Sequence, residues 1–321
     1  MDEFEIPREI DEIAPSPESV AEDMRLVRAL KWVSNTFGLT LFFPQFIAGI
    51  LMLMLALVSF LFRAFVLGDR SASFSMDFLG TSDSVGSNLA SGLIYFAYMF
   101  IPFALQSYFL RENPFHIVPM RAPRNWRGIF PGLAAVLAVA GLASLVTAYM
   151  QAFLGFIGLQ ATSPEGLALP QSGPAAAIYV LQICVLAPVC EEFIFRGMIL
   201  QNLRRFGNGF AVVTSSLLFA MVHGDLLQMP LAFMMGVVFG VLAVELDSIW
   251  VTIGMHAAVN GLSVITDAVS RQTGDGTAQV LYYVVTIVAL GICVLLYLST
   301  RQRVDWRGRI DRYWQAALPA P

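Results

Sequence analysis

Apolar runs of 18 or more residues recur along almost all of this 321-residue chain. No other feature constrains its fold as strongly. Each run is long enough to cross a bilayer as a helix. In hydrocarbon the backbone must satisfy its own polar groups, which only helices and closed barrels do. The runs are continuously apolar, without the alternation of a barrel strand. They predict an all-α polytopic membrane bundle of about eight helices, at roughly 40–66, 88–110, 128–156, 174–202, 209–224, 227–244, 248–268 and 278–299. Composition agrees: 57% of residues are hydrophobic and 13% charged, whereas a soluble domain carries about a quarter charged residues. The fifth and sixth runs are short and divided by little more than Gly224-Asp225, which predicts a tight hairpin.

The spans divide the chain. Residues 1–36 read as an acidic cytoplasmic tail, 37–160 as an N-terminal transmembrane region, 174–270 as a core, 271–300 as the last transmembrane helix and 301–321 as a basic cytoplasmic tail. In the first tail, Ser16-Pro17 suits a helix start, and Val20, Met24 and Val27 follow at helical spacing. A short amphipathic helix on the membrane surface and a disordered tail with a frayed helix both fit. An acidic start, with the first apolar run near residue 40, predicts no cleavable signal peptide.

Orientation follows from Lys and Arg. With the N-terminus inside, cytoplasmic segments hold 15 of the 19 basic residues and outer segments hold three, Arg63, Arg70 and Arg271; Arg196 lies inside span four. The ratio predicts both termini in the cytoplasm. All five tryptophans (Trp32, Trp126, Trp250, Trp306, Trp314) fall near span ends or in flanking segments, where interface anchors belong. Cys184, Cys190 and Cys293 lie in apolar runs and read as small buried hydrophobes. Gly236 and Gly240 form a GxxxG, read as close helix packing. Nothing suggests nucleic-acid binding.

Span four breaks the rule that spans are uncharged: it reads Cys190-Glu191-Glu192-Phe193-Ile194-Phe195-Arg196. An acid near the bilayer centre costs about 2.5–3.5 kcal/mol on translocon scales. Glu191 lies 13 residues before Arg204, or about 20 Å along a helix, so it is deep in the hydrocarbon. Neighbouring residues on a helix point about 100° apart, so the two acids cannot share a face. Glu192 and Arg196, at i,i+4, can pair. Glu191 then has no obvious local partner and is free to exchange protons. Pro188 removes one helix hydrogen bond and predicts a kink.

Of three histidines, His116 falls in a loop and reads as ordinary. His223 closes Phe219-Ala220-Met221-Val222-His223, and His256 opens His256-Ala257-Ala258-Val259-Asn260. His256 and Asn260, at i,i+4, share a face. The depths of Glu191, His223, His256 and Asn260 allow one common cavity. Together they supply a base, two ligands or donors and an oxyanion partner, a set suited to hydrolysis. The bland alternative is that these groups only hydrogen-bond helices together.

EExxxR, FxxxH and HxxxN in this order on membrane helices resemble the CPBP family, the CAAX proteases and bacteriocin-processing (Abi) proteins. Here the motifs are Glu191-Glu192…Arg196, Phe219…His223 and His256…Asn260, within roughly 175–270. The resemblance implies an intramembrane endopeptidase in a bacterial plasma membrane, acting on a membrane-anchored or lipidated peptide or protein. It implies that Glu191 is the general base, that His223 holds the water, that His256 and Asn260 stabilise the oxyanion, and that Glu192, Arg196 and Phe219 support them. The family is commonly called a metalloprotease family. Two His and a Glu could bind Zn²⁺ with an open position, with His223 and His256 as nitrogen ligands. Water held by Glu191 and His223 could also react without metal. No HExxH occurs, and no GxSx pairs with a histidine on a later helix. Two other readings are a non-catalytic self-immunity or scaffold member of the family, and a proton-coupled transporter, against which no inverted repeat is apparent.

Overall fold

The computed structural model describes residues 85–110, 113–159 and 169–300, with isolated positions between 21 and 68. The described residues form eight helical elements: α1 Val85–Leu110, α2 Pro114–Ile117, α3 Ile129–Phe156, α4 Gly173–Phe206, α5 Asn208–Val222, α6 Met229–Leu246, α7 Ile249–Thr273 and α8 Asp275–Thr300. No strand occurs among them. Five helical stretches are long and apolar enough to cross a membrane: Trp126–Phe156, Gly173–Phe206, Met229–Leu246, Ile249–Thr273 and Asp275–Ile292. The chain is an all-α integral membrane bundle. Most of span 40–66, most of tail 1–36 and all of 301–321 lie outside the described residues. Within the first tail, Ala21, Met24, Arg25, Val27, Arg28 and Lys31 are helical.

The central element is α6. It is apolar except for the exposed Glu245 near its end, and it joins two cores. One, with α1, α4 and α5, contains Phe103, Ile194, Ile199, Val212 and Ala232; the other, with α3 and α7, contains Val136, Phe239, Leu246 and Met255. Close approach to α5 depends on the GxxxG. A Cβ at Gly236 would sit 2.9 Å from Ser216 Cβ, and one at Gly240 would sit 3.1 Å from Val212 Cγ1.

The α6–α7 turn straps down the segment that leads into α3. Asp247 ends α6 in the left-handed region at φ 52°. Its carboxylate accepts from Arg121 and, at 3.3 Å, from Arg124. Ser248 Oγ donates to Arg121 O at 2.6 Å, Ile249 N to Pro119 O at 3.1 Å, and Arg124 N to Leu246 O at 2.8 Å. Trp126 and Trp250 lie at this end with their rings largely exposed.

The hairpin between α5 and α6 is the element that opens the site. Fifteen residues of α5 reach about 22 Å, less than the ~30 Å hydrocarbon thickness. Helix α5 is thus too short to cross the hydrocarbon by itself, and the turn that follows it finds its polar partners within the protein. Gly224 turns the chain at φ 64°. Asp225 Oδ1 accepts from Leu227 N at 2.9 Å, Asp225 O from Met229 N at 2.9 Å, and Leu227 O from Thr147 Oγ1 at 3.1 Å.

Candidate active site

Helix α4 presents a row at four-residue spacing, Tyr179, Ile183, Ala187, Glu191 and Phe195, to one cavity of about 550 Å³. On an ideal helix such a row drifts about 40° per step. Two widened, π-helical turns, Gln182–Leu186 and Phe193–Ile199, rotate the chain less per residue and offset the drift. Pro188 accounts for the first. Its ring crowds the carbonyl four residues back and it has no N–H to donate. The sequence suggests a kink; the chain adopts a widened turn in which Ala187 N–H donates to Gln182 O. Ile183 O is thereby left without a helical donor, since its next candidate is the proline nitrogen. Asn260 Nδ2 fills the gap at 2.8 Å.

The two carboxylates separate as helix geometry requires. Glu192 and Arg196 are fully buried and pair at 2.9 Å. The Arg196 guanidinium lies 4.3 Å from the Phe219 ring centroid and 5.2 Å from that of Phe239. It also donates to Gly236 O at 3.3 Å. Glu192 is not reserved for Arg196: the same oxygen, Oε1, lies 2.9 Å from His256 Nδ1. A carboxylate only accepts, so Nδ1 carries the proton and Nε2 faces Glu191 Oε2 at 3.8 Å.

Glu191 has no partner on its own helix, as read from the sequence, and takes one from α1. Tyr95 O–H, from α1, donates to Glu191 Oε1 at 2.5 Å. Glu191 Oε2 is buried and makes no hydrogen bond among the described residues. His223 ends α5, and its Nδ1 lies 2.8 Å from Phe219 O. A carbonyl accepts, which assigns the proton to Nδ1 and leaves Nε2 as a lone-pair acceptor. Phe219 ties these groups together. Its ring packs edge-on against His223 with centroids 4.8 Å apart and against His256 at 6.1 Å.

Glu191, His223, His256 and Asn260 all line the cavity. The structure brings together the four side chains picked out in the sequence. Their free atoms are fewer than the sequence suggests: His223 and His256 have each committed Nδ1, and Asn260 one amide hydrogen. Helix α7 lines the cavity with His256, Asn260, Ser263, Val264 and Asp267, one helical face. The sequence reading missed Tyr95, Tyr98, Met99, Tyr179, Gln228 and Asp267. The signal for two of them is Tyr95 and Tyr98 at i,i+3 in a helix without charged residues. His116 is exposed and outside the cavity.

Zn²⁺ held by His223 and His256 with a carboxylate needs three ligand atoms on one point. Among the described residues no three His, Cys, Asp or Glu side chains are arranged to hold a metal ion. Each histidine holds Nδ1 on a carboxylate or carbonyl and keeps Nε2 free, an arrangement that metal-ligating histidines also show. What the described residues lack is a third ligand atom converging with the two histidines.

Residues 173–262 match the family model described as Type II CAAX prenyl endopeptidase Rce1-like. Over 154 residues the chain is 30% identical to YdiL of Bacillus subtilis (strain 168), whose name proposes a membrane peptidase; the match covers 46% of this chain and 62% of that protein. Over 115 residues it is 31% identical to the membrane-embedded CAAX protease MroQ of Staphylococcus aureus (strain USA300), covering 34% and 47%. The chain thus spans about half to three-fifths of the length of these relatives. No solved structure matches it at a significant level. The matched residues run from the start of α4 into α7 and carry all three motifs.

Proposed function

We propose that the chain is an intramembrane endopeptidase that hydrolyses a peptide bond of a membrane-anchored or lipidated substrate, with Glu191 as general base. One observation carries this reading: the unpartnered Oε2 of Glu191 lies 3.8 Å from His256 Nε2 in a cavity that His223 and Asn260 also line. That gap is too long for a hydrogen bond, and one water can touch both atoms.

Glu191 Oε2 takes a proton from this water as it attacks the substrate carbonyl. His223 Nε2, held by the bond from Nδ1 to Phe219 O, accepts the water's second hydrogen and aims its lone pair. Charge develops on the carbonyl oxygen, where protonated His256 Nε2–H and the remaining amide hydrogen of Asn260 donate. Glu191 then returns its proton to the leaving amine, and the C–N bond breaks. Glu192 holds His256 in one orientation, and Arg196 offsets the Glu192 charge. The Lys and Arg distribution supports both termini in the cytoplasm.

The test is cleavage of membrane-anchored and lipidated peptides by purified protein, compared with Glu191→Gln and His223→Ala. General-base catalysis is worth about 10²–10⁴-fold, and each variant is expected to lose that much. Wild-type protein no faster than either variant, across a broad substrate panel, refutes the reading.

A further inference from the structure

We propose that Tyr95, on α1 and outside the family-matching segment, is a positioning residue that fixes which oxygen of Glu191 does the chemistry. The inference rests on Glu191 being the base.

A carboxylate at the end of a glutamate side chain has two equivalent oxygens and a broad terminal torsion. An oxygen meets the water productively only if that torsion is held. One hydrogen bond holds it. The Tyr95 hydroxyl donates to Oε1, a charge-assisted bond. That leaves Oε2 as the oxygen without a hydrogen bond, 3.8 Å from His256 Nε2. His256 is fixed in turn through Nδ1 on Glu192. The chain Tyr95–Glu191, His256–Glu192, Glu192–Arg196 thus locks both sides of the water position, and Tyr95 is its only member from α1.

The backbone of α1 is arranged to deliver this hydroxyl. Gly92 and Tyr95, at i,i+3, share a face. A Cβ at Gly92 would meet the Gln182 side chain, 3.0 Å from its Cδ, so α1 faces the first widened turn of α4 here. There Gln182 Nε2 donates to Asn88 O. Tyr98 and Met99, one turn further on, line the same cavity. Helix α1 is therefore a wall of the site.

Tyr95→Phe removes the hydroxyl and keeps the ring. On membrane-anchored peptide substrates it is expected to lower kcat roughly 10–100-fold, the value of a hydrogen bond to a charged group, with KM unchanged. A second readout needs no turnover. The Glu191 carboxylate stretch, identified as the infrared difference between wild type and Glu191→Gln, is expected to shift in Tyr95→Phe. Unchanged kcat, a change confined to KM, or an unshifted band overturns the proposal. If wild-type protein cleaves nothing, the protease reading fails separately, and the infrared band alone decides whether Tyr95 fixes Glu191.

Discussion

Replacing Arg196 with methionine exposes how this site is held together. The guanidinium is inaccessible to solvent, bonds Glu192 at 2.9 Å and Gly236 O at 3.3 Å, and lies between the rings of Phe219 and Phe239. Methionine refills much of the volume, so the main loss is electrostatic: Glu192, also fully buried, loses the guanidinium and keeps His256 and the Thr252 hydroxyl. Removing one partner of a buried pair costs about 3–5 kcal/mol. At roughly 2–4 °C per kcal/mol, a loss near 4 kcal/mol lowers the unfolding midpoint by about 8–16 °C. The fully buried Cys190 beside Glu191 provides the assay. A thiol-reactive dye in detergent, on a background retaining Cys190 alone, reports its exposure on heating. Glu192→Gln combined with Arg196→Met removes both charges and is expected to regain at least half of the loss, because an absent pair strands no charge. A single variant within about 1 kcal/mol of wild type, or a double variant equal to the sum of the singles, refutes the argument.

Three further outcomes follow from the same geometry. Gly236→Ala places a Cβ 2.9 Å from Ser216 Cβ and 3.0 Å from its Cα; thermal unfolding is expected to show a loss of about 1–3 kcal/mol. Gly254→Ala, which meets nothing within 4 Å, serves as the control. Asp247→Val is expected to be less stable than Asp247→Gly by roughly 1–2 kcal/mol, since both lose the arginine clamp and only valine must hold φ 52°. Equal midpoints would remove backbone strain from the account. Prolonged exposure of active protein to a strong chelator is expected to leave turnover unchanged. Loss of activity that Zn²⁺ restores would show that the donor set rearranges around a metal.

The membrane class and most helix positions were legible in the sequence because each apolar run must satisfy its own backbone and is long enough to cross a bilayer. Seven of the eight expected spans coincide with helices among the described residues, with ends displaced by at most five residues. The GxxxG could be read as packing because a missing Cβ means the same in any helix pair. Glu191 and the two motif histidines could be singled out because ionisable groups are costly in hydrocarbon.

Partnership was not legible. Sequence spacing links Glu192 to Arg196, since both lie on one helix, and it cannot see across helices. The tertiary structure turns His256 Nδ1 to Glu192, gives Glu191 a tyrosine from α1, and sends an amide hydrogen of Asn260 to the carbonyl that Pro188 leaves without a donor. These contacts join residues 64, 96 and 77 positions apart. Only the packing of α1, α4 and α7 decides them. The sequence by itself determined that this chain buries carboxylates and imidazoles among membrane helices; the tertiary structure decided which of their atoms remain free, because each buried polar group takes whichever partner its packed neighbours bring within reach.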